Sequence, residues 1–252
     1  MQSVSLKKYT TTSWKVLYLQ IAAHLGLLYQ IVYGDTWWWL VSLLVFVLSG
    51  CFGLVMTYHR LLAHNSWPAS QRYREIGSLL GAYAGIGSPM VWTAVVSAHH
   101  RFVDTSKDPH GPEHLGLARV QFLGMFGQAG GEHIIDMLKD KFQTKLNRYY
   151  FKLHIAVGVF WLLVSPTLFV CAYLAPMALL WQIGGSVNTI NHWFGYRNRD
   201  NPKHHAYNNP ITAILFFGEG WHANHHDNPI SYTTKEKWWE FDFAGLMIKL
   251  VK

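Results

Sequence analysis

The sequence predicts an all-α integral membrane protein, in which four transmembrane helices carry a cytoplasmic helical cap. Three observations support this fold class. Half of the 252 residues are hydrophobic. Charged residues make up 14% of the chain, against about 25% in typical soluble domains. Several apolar stretches also approach the ~20 residues that a helix needs to cross a bilayer.

Four stretches are apolar and long enough to be predicted spans: residues 17–33, 37–56, 155–174 and 178–192. Residues 34–36 alone separate the first two, which predicts a tight helical hairpin. Pro176 is taken as the break between the third and fourth spans, and Pro166 lies within the third span or at its edge. A weaker, glycine-rich stretch at 76–96 is predicted to form a shallow or re-entrant helix.

The basic residues predict which side of the membrane each part faces. The net charge is +7, yet the short connections at 34–36 and 165–176 contain no Lys or Arg. By the positive-inside rule, both termini and the middle region then face the cytoplasm. We expect one domain over 1–252, with a cytoplasmic cap formed by about 59–150 and 193–252. No nucleic-acid-binding motif accompanies the positive charge, so no nucleic-acid partner is expected.

Histidine is abundant in this chain, and its positions are clustered. There are fifteen histidines. The clusters, in chain order, are His59 and His64; His99 and His100, followed by Asp104, Asp108 and His110; Asn188 and His192; and His222, His225 and His226. Because the clusters lie at the predicted cytoplasmic ends of different spans, folding the helices together would gather them at one depth below the membrane surface.

The spacing within these clusters suits metal coordination. His222, His225 and His226 are spaced i, i+3 and i+4, so on a helix they share one face. His59 and His64 would lie about 140° apart on an α-helix, which lets them flank a centre without stacking. Eight imidazoles exceed the about four to six ligands of one transition metal, so their number predicts two metals. Iron suits oxygen chemistry at such a nitrogen-rich site, although two zinc ions would fit the same ligands.

The four ordered clusters resemble the histidine boxes of the membrane fatty acid desaturase family, in particular its delta-9 acyl desaturase branch. The similarity extends over about 43–242. The first box is similar to His59-x4-His64, the second to the stretch from His99-His100 through Asp104 to Asp108-Pro-His110, and the third to His222-x2-His225-His226. Asn188-x3-His192 resembles an additional element of this branch.

This resemblance implies a mushroom-like bundle of four membrane helices, topped by a cytoplasmic cap that holds two non-heme iron ions. With O2 as co-substrate and electrons from an external donor, of the ferredoxin or cytochrome b5 type, such an enzyme introduces a cis double bond into a long-chain acyl substrate. The substrate carrier stays open between acyl-lipid, acyl-CoA and acyl-carrier protein. The implied metal ligands, which are also the implied catalytic residues, are His59, His64, His99, His100, His192, His222, His225 and His226.

Five further polar residues lie near the boxes, and their roles are interpreted as follows. Asn188 either packs between helices or contacts a metal, directly or through water. Asp104 and Asp108 are either ordinary turn residues or orient ligating imidazoles. His204 and His205 lie in a polar loop and are expected to be solvated.

Two positions depart from the family pattern. The second box normally begins with a histidine, where this chain has Val96, which cannot bind a metal. Water or another side chain such as His110 would then complete the coordination shell, one iron would bind loosely, or the site would be impaired. Animal acyl-CoA desaturases carry an arginine where this chain has Ala94. Two other functions stay open. Histidine boxes alone do not separate a desaturase from a lipid or alkane hydroxylase of the same superfamily, and Val96 favours a catalytically impaired metal-binding homologue.

Overall fold

The computed structural model of the chain describes residues 8–10, 13–123 and 128–252, and most of these residues are helical. The helices are α1 (Trp14–Tyr33), α2 (Thr36–Ala63), α3 (Gln71–Tyr83), α4 (Pro89–Phe102), α5 (Pro112–Leu115), α6 (Leu117–Leu123), α7 (Ile135–Lys139), α8 (Lys141–Val164), α9 (Pro166–Ile190), α10 (Pro210–Leu215), α11 (His222–Asp227) and α12 (Phe243–Val251). Two short strands, β1 (Lys8–Thr10) and β2 (Gln128–Gly130), pair antiparallel. The predicted predominance of helix is confirmed.

Helices α1 and α2 form the predicted hairpin. Ser13 begins α1, because its hydroxyl accepts a hydrogen bond from the Val16 N–H (3.3 Å). The turn between the helices depends on Gly34, since a Cβ at that position would lie 2.5 Å from the Gln30 carbonyl oxygen. A short turn therefore reverses the chain between the two helices, as their separation in the sequence predicts, and the Gln30 amide donates to the Ser42 hydroxyl across it (2.9 Å).

Helix α2 continues beyond the predicted end of its span at residue 56 and changes its winding on the way. It is α-helical over Thr36–Val47 and π-helical over Leu48–Ala63. The wider turns reach the first histidine cluster, where the His64 N–H donates to the His59 carbonyl five residues earlier (3.2 Å). The polar residues at this end remain helical because their side chains find partners inside the protein, as described below.

The predicted helix break at Pro176 is wrong. Helix α8 ends at Val164, and the next helix begins at Pro166 and continues to Ile190. Proline is favoured in the first turn of a helix, where its missing N–H has no intrahelical partner to lose. Ser165 caps this start by accepting a hydrogen bond from the Leu168 N–H (3.4 Å). The turn between the third and fourth long helices is therefore at Ser165.

Pro176 lies inside α9 because the helix is π-wound just before it, over Phe169–Leu174. A proline within an α-helix leaves the carbonyl four residues earlier without its usual donor. Here that carbonyl belongs to Ala172, and it accepts a hydrogen bond from the Tyr83 hydroxyl (2.8 Å). The lost helical bond is replaced by one from α3.

Within the described residues, three helices are long and apolar enough to cross a membrane: Trp14–Tyr33, Thr36–Ala63 and Pro166–Ile190. Length and composition thus identify three spanning helices among the described residues, where the sequence predicted four. Helix α8 has 24 residues but differs from the other three in composition, because its first half carries Lys141, Lys145, Arg148 and Lys152. Its second half, from Ile155 onward, is apolar and largely exposed.

The glycine-rich stretch at 76–96 was predicted to form one shallow or re-entrant helix. It consists instead of parts of two helices, α3 and α4, separated by a turn. Gly85 (φ +73°) and Gly87 (φ +116°) adopt the left-handed conformation that glycine tolerates best. Helix α3 packs closely on the π-helical part of α2, because a Cβ at Gly53 would lie 2.3 Å from the Gly81 nitrogen. This contact places the end of α2 and the second helix of the pair, α4, around a common core.

Candidate metal centre

The eight predicted ligands gather in two compact groups of four imidazoles. We call His59, His64, His100 and His225 the first imidazole group, and His99, His192, His222 and His226 the second imidazole group. Within each group, one ring nitrogen from every histidine lies within 4.8 Å of the others. Residues up to 166 positions apart in the chain, which is 225 − 59, therefore meet at one place.

Helix geometry divides the neighbouring histidines between the two groups. His100 and His225 belong to the first imidazole group, whereas their neighbours His99 and His226 belong to the second. Successive residues on a helix diverge by about 100°, so two adjacent imidazoles cannot point at one centre but can serve two centres side by side. The adjacent pairs on α4 and α11 thus build two centres rather than one.

The π-helical winding of α2 changes the geometry expected for the first box. The ring centroids of His59 and His64 are 4.8 Å apart, at 71° to each other. A bond between residues five apart places the second residue almost above the first, unlike the 140° separation expected for an α-helix. Both imidazoles therefore point at the same centre instead of flanking it.

The facing ring nitrogens fit a shared cation. The Nε2 atoms of His225 and His100 are 3.0 Å apart, those of His226 and His222 are 3.1 Å apart, and those of His192 and His222 are 3.2 Å apart. Metal–imidazole bonds of about 2.1 Å give nitrogen–nitrogen edges of about 3.0 Å in an octahedron and about 3.4 Å in a tetrahedron. The described residues therefore fit two bound transition metals.

Burial keeps these imidazoles in the form that binds metal. Removal from water lowers the pKa of several grouped histidines well below the usual value, and neighbouring imidazoles lower it further. This holds for His99, His100, His222, His225 and His226. Because the neutral ring has a free lone pair, these five imidazoles are prepared for metal ions at neutral pH.

Three of the imidazole rings are each oriented by a carboxylate that binds their Nδ1 atom. Asp108 accepts from the Nδ1 of His99 (2.8 Å), and Asp104 accepts from the Nδ1 of His192 (3.1 Å). Such bonds leave Nε2 as the free nitrogen and fix the ring angle. The structure thus brings Asp104 and Asp108 into the contacts expected of orienting residues.

The third orienting carboxylate, Glu219, was missed by the sequence analysis. One of its oxygens accepts from the Nδ1 of His59, and the other accepts from Arg60 at 2.9 and 3.1 Å. Arg60 is fully buried, and its guanidinium also bonds both oxygens of Asp242 (2.9 and 3.0 Å). Glu219 lies three residues before His222, but nothing in that spacing indicates a partner 160 residues earlier.

His204 and His205 were both predicted to be solvated, and this prediction is correct for His205 and wrong for His204. His205 is exposed, as expected, and its Nδ1 contacts Glu113. His204 is buried instead: its Nε2 lies 3.1 Å from an oxygen of Asp227, and its ring centroid is 5.2 Å from that of His226. The polar sequence neighbours of His204 indicated an exposed side chain, but in the structure this side chain packs against the second imidazole group.

An apolar cavity adjoins both groups. Its wall includes His59 and His100 of the first imidazole group and His99 and His222 of the second. The remaining wall is mainly apolar, formed by residues such as Leu54, Val55, Ile86, Trp92, Val96, Leu180, Trp181, Val187 and Phe216. Asn188 also lines this cavity and is half-buried, one helical turn before His192. An apolar molecule in this cavity would lie against histidines of both groups.

Helices of membrane length and two groups of four imidazoles define a helical protein whose residues could hold two metals beside an apolar cavity. The chain belongs to the fatty acid desaturase family, because the sequence profile described as Fatty acid desaturase matches residues 36–245. The predicted resemblance is confirmed.

Three relatives are similar over most of the chain. The chain is 26% identical over 247 residues to an sn-1 stearoyl-lipid 9-desaturase of Anabaena variabilis, covering 95% of this chain and 90% of the relative. It is 29% identical over 229 residues to an sn-2 palmitoyl-lipid 9-desaturase of Nostoc sp. (strain 36), covering 85% and 79%. An acyl-CoA 5-desaturase of Anemone leveillei is 28% identical over 226 residues, covering 85% and 68%.

Proposed function

We propose that this protein is a membrane-bound, di-iron acyl desaturase that introduces a cis double bond at the delta-9 position of a long acyl chain. The observation that carries the proposal is the pair of four-imidazole groups in the wall of one apolar cavity. The 9-desaturase names of the relatives from Anabaena variabilis and Nostoc support the position of the double bond.

The metal ligands in this proposal are the eight grouped histidines, and Asn188, which lines the same cavity, would contact a metal directly or through water. Bound iron would supply the oxidising power to remove two hydrogens from an unactivated CH2–CH2 unit. The balance requires one O2, two electrons and two protons, and it yields the CH=CH unit and two waters. The electrons come from an external donor, of the ferredoxin or cytochrome b5 type.

The protein itself positions the substrate and shields it from water. The apolar cavity wall binds a saturated chain and excludes water from it. Asp104, Asp108 and Glu219 hold their imidazoles at fixed angles, so the centre is organised before substrate arrives. The position of the reacting carbons is then set by where the chain lies along the cavity.

For the substrate carrier, we propose an acyl-lipid. Ala94, at the position where animal acyl-CoA desaturases carry an arginine, is fully buried and offers no cation to a CoA phosphate. The relatives from Anabaena variabilis and Nostoc are named for stearoyl-lipid and palmitoyl-lipid substrates. Acyl-CoA and acyl-carrier protein are the other carriers that an assay must distinguish.

We also propose four membrane spans in a single domain, with both termini and the metal centre in the cytoplasm. Helix α8 would be the fourth span, since its 24 residues are long enough to cross a bilayer, with Lys152 and the basic residues before it extending toward the cytoplasmic surface and Ser165 at the opposite turn. Neither hairpin turn, at 34–36 or at Ser165, contains Lys or Arg, and this supports the proposed orientation.

A second candidate function is favoured by Val96. A homologue with one ligand fewer could bind metal without desaturating, since Val96 lies in the cavity wall and carries no donor atom. This candidate predicts metal-loaded protein without product.

Lipid analysis separates these functions. The chain is expressed in a host that lacks its own acyl desaturase, together with a ferredoxin and its reductase. We expect new delta-9 monoenes in the membrane lipids, their loss in His225→Ala, and their retention in His133→Ala, a histidine outside both groups. Hydroxylated acyl chains would instead support the hydroxylase, and unchanged lipids would support the impaired homologue.

A further inference from the structure

Helix α12 carries apolar side chains on two opposite faces. Ala244 and Ile248 are fully buried, and this face packs against the π-helical part of α2. Leu246 and Leu250 lie on the other face, where they are 44% and 70% exposed. Lys249 is the only charged residue of this helix. Because a surface helix normally carries polar residues opposite its buried stripe, an outer face of this composition needs an apolar environment of its own.

Helix α10 presents the same kind of face. Its exposed side chains are apolar, whereas Thr212 and Ala213 are buried. The two helices are neighbours, because the Ala244 N–H at the start of α12 donates to the carbonyl of Phe217, just after α10 (3.0 Å). We call the exposed leucines and isoleucines of both helices the outer apolar residues: Ile211, Ile214, Leu215, Leu246 and Leu250.

The two phenylalanines that follow α10 pack against helices of membrane length. A Cβ at Gly184 of α9 would lie 3.4 Å from the Cζ of Phe216, and a Cβ at Gly50 of α2 would lie 2.9 Å from the Cε2 of Phe217. Both glycines are inside helices that are long and apolar enough to cross a membrane. Helices α10 and α12 therefore lie beside the membrane helices.

The ends of α12 are held at the metal-centre end of α2. The carboxylate of Asp242, which caps α12, accepts from Arg60 (2.9 and 3.0 Å). At the other end, the Nζ of Lys252 lies 3.6 Å from the ring centroid of Tyr232, whose carbonyl also accepts from Arg60 (2.8 Å). Because Arg60 directly follows His59, α12 is on the side of the bilayer nearest the first imidazole group.

We propose that α10 and α12 form a lipid-binding surface, whose outer apolar residues are buried in the leaflet beside the metal centre. Helices of this kind place an apolar face about 5–10 Å into the boundary between headgroups and acyl chains. The exposed Lys249 would extend its ammonium group to anionic headgroups. This inference goes beyond the proposed function, because it depends on the membrane helices and not on the reaction.

The size of this surface favours lipid over a second copy of the chain. The two helices have six and nine residues. A stable protein–protein interface takes roughly 20–30 residues from each partner, more than both helices together provide. Lipid needs no such minimum area, since the bilayer already surrounds the neighbouring membrane helices.

The test is fluorescence quenching on the full chain in a bilayer. Leu246→Cys and Leu250→Cys are each labelled with a thiol-reactive fluorophore and reconstituted, one chain per nanodisc, in phosphatidylcholine and phosphatidylglycerol. One quencher is a phosphatidylcholine with a nitroxide on its acyl chain, and the other is iodide in the water. Lys203→Cys, at an exposed loop position, is the matched control.

We expect the lipid nitroxide to quench the labels at positions 246 and 250 more strongly than iodide does, and the reverse order at position 203. Wild-type protein measures background labelling, which should be low because Cys51 and Cys171 are buried. Thermal unfolding checks that each labelled variant is folded, and the two positions on α12 test the proposal independently of each other.

Two results would overturn the inference. Stronger quenching by iodide at 246 and 250 would show that the outer face of α12 is in water. Protection from both quenchers would show that protein, rather than lipid, covers this face. Either result leaves the proposed desaturation intact, and a chain that forms no monoenes would leave the quenching result unchanged, so the two proposals fail separately.

Discussion

The residue that connects the metal centre to the rest of the molecule is Glu219. It accepts from His59 on one side and from the buried Arg60 on the other, and Arg60 is shared with Asp242. A buried cation between two carboxylates is compatible with folding only while its partners are present. Glu219 therefore couples the orientation of one candidate ligand to the stability of the core.

Replacing Glu219 with glutamine tests this coupling. Removing one partner of a buried ion pair costs about 3–5 kcal/mol, so we expect a clear drop in the thermal unfolding temperature of Glu219→Gln. Loss of the bond to His59 should also weaken the metal of the first imidazole group about 10–100-fold. Glu132→Gln, at an exposed site, is the control. Unchanged stability and metal affinity in Glu219→Gln would contradict the assigned role.

A second residue, Glu240, makes stability depend on pH. It is completely buried, and its oxygens accept from the Tyr196 hydroxyl (2.6 Å), the Asn198 and Asn224 amides (2.8 and 3.0 Å) and two backbone N–H groups. Burial alone would raise the pKa of Glu240, but these bonds favour the charged form and lower it below 4.5. The charged carboxylate thus stabilises the folded state above the ordinary pKa.

This stabilisation should be lost as the pH falls through the lowered pKa of Glu240, because the group must then take up a proton that the unfolded chain binds more readily. We expect Glu240→Gln to be less stable than the wild type by about 1–3 kcal/mol at pH 7, since an amide would face several N–H donors. The difference should shrink below pH 4. Thermal unfolding of both proteins across pH, with Glu75→Gln as control, measures it; a difference that does not change with pH would contradict this explanation.

At the scale of elements, two π-wound segments decide how the helices present their functional groups. In α2 the winding brings the ring centroids of His59 and His64 to within 4.8 Å, and in α9 it precedes Pro176. Neither segment was predicted, because π and α helices share the same apolar composition and differ only in which carbonyl each N–H reaches. The packing that selects the π form comes from neighbouring helices, which local sequence does not describe.

The hydroxyl of Tyr83 is one such contact, and it yields a prediction. It donates to the Ala172 carbonyl (2.8 Å) and accepts from the Trp161 indole N–H (2.8 Å). We expect Tyr83→Phe to lower the free energy of unfolding by about 1–3 kcal/mol, because it leaves both groups unpaired. Bound metal should not change, since Tyr83 contacts neither imidazole group. Tyr29→Phe, on the exposed face of α1, is the control, and equal stability of the two variants would show that the bridge is unimportant.

The elements themselves were predictable where one local rule dominated. The first hairpin followed from two apolar runs separated by 34–36, and it is present. The second was misplaced by ten residues, because two prolines competed for the break. The break occurs at Pro166, because Ser165 caps the helix that begins there. At Pro176 the helix continues, because α3 supplies a replacement hydrogen bond. A cap can be read from sequence, but a bond from another helix cannot.

At the scale of the whole molecule, the two centres join segments that are distant in the chain. The set of eight histidines was expected from the resemblance of the four clusters to the family's histidine boxes, and spacing alone placed only His222, His225 and His226 on one helix face. The division of the eight into two groups, the carboxylate Glu219 and the burial of His204 were not expected, since each depends on which elements meet in space. The distribution of His99 and His100 to different groups shows this most simply.

The most direct test of the central claim is an anomalous-scattering experiment at the iron absorption edge on crystals of the iron-loaded protein. The account predicts two iron peaks per chain. One lies among His59, His64, His100 and His225, and the other among His99, His192, His222 and His226. Absence of iron from either group, or iron bound elsewhere in the chain, would contradict the claim that these imidazoles hold a pair of metal ions.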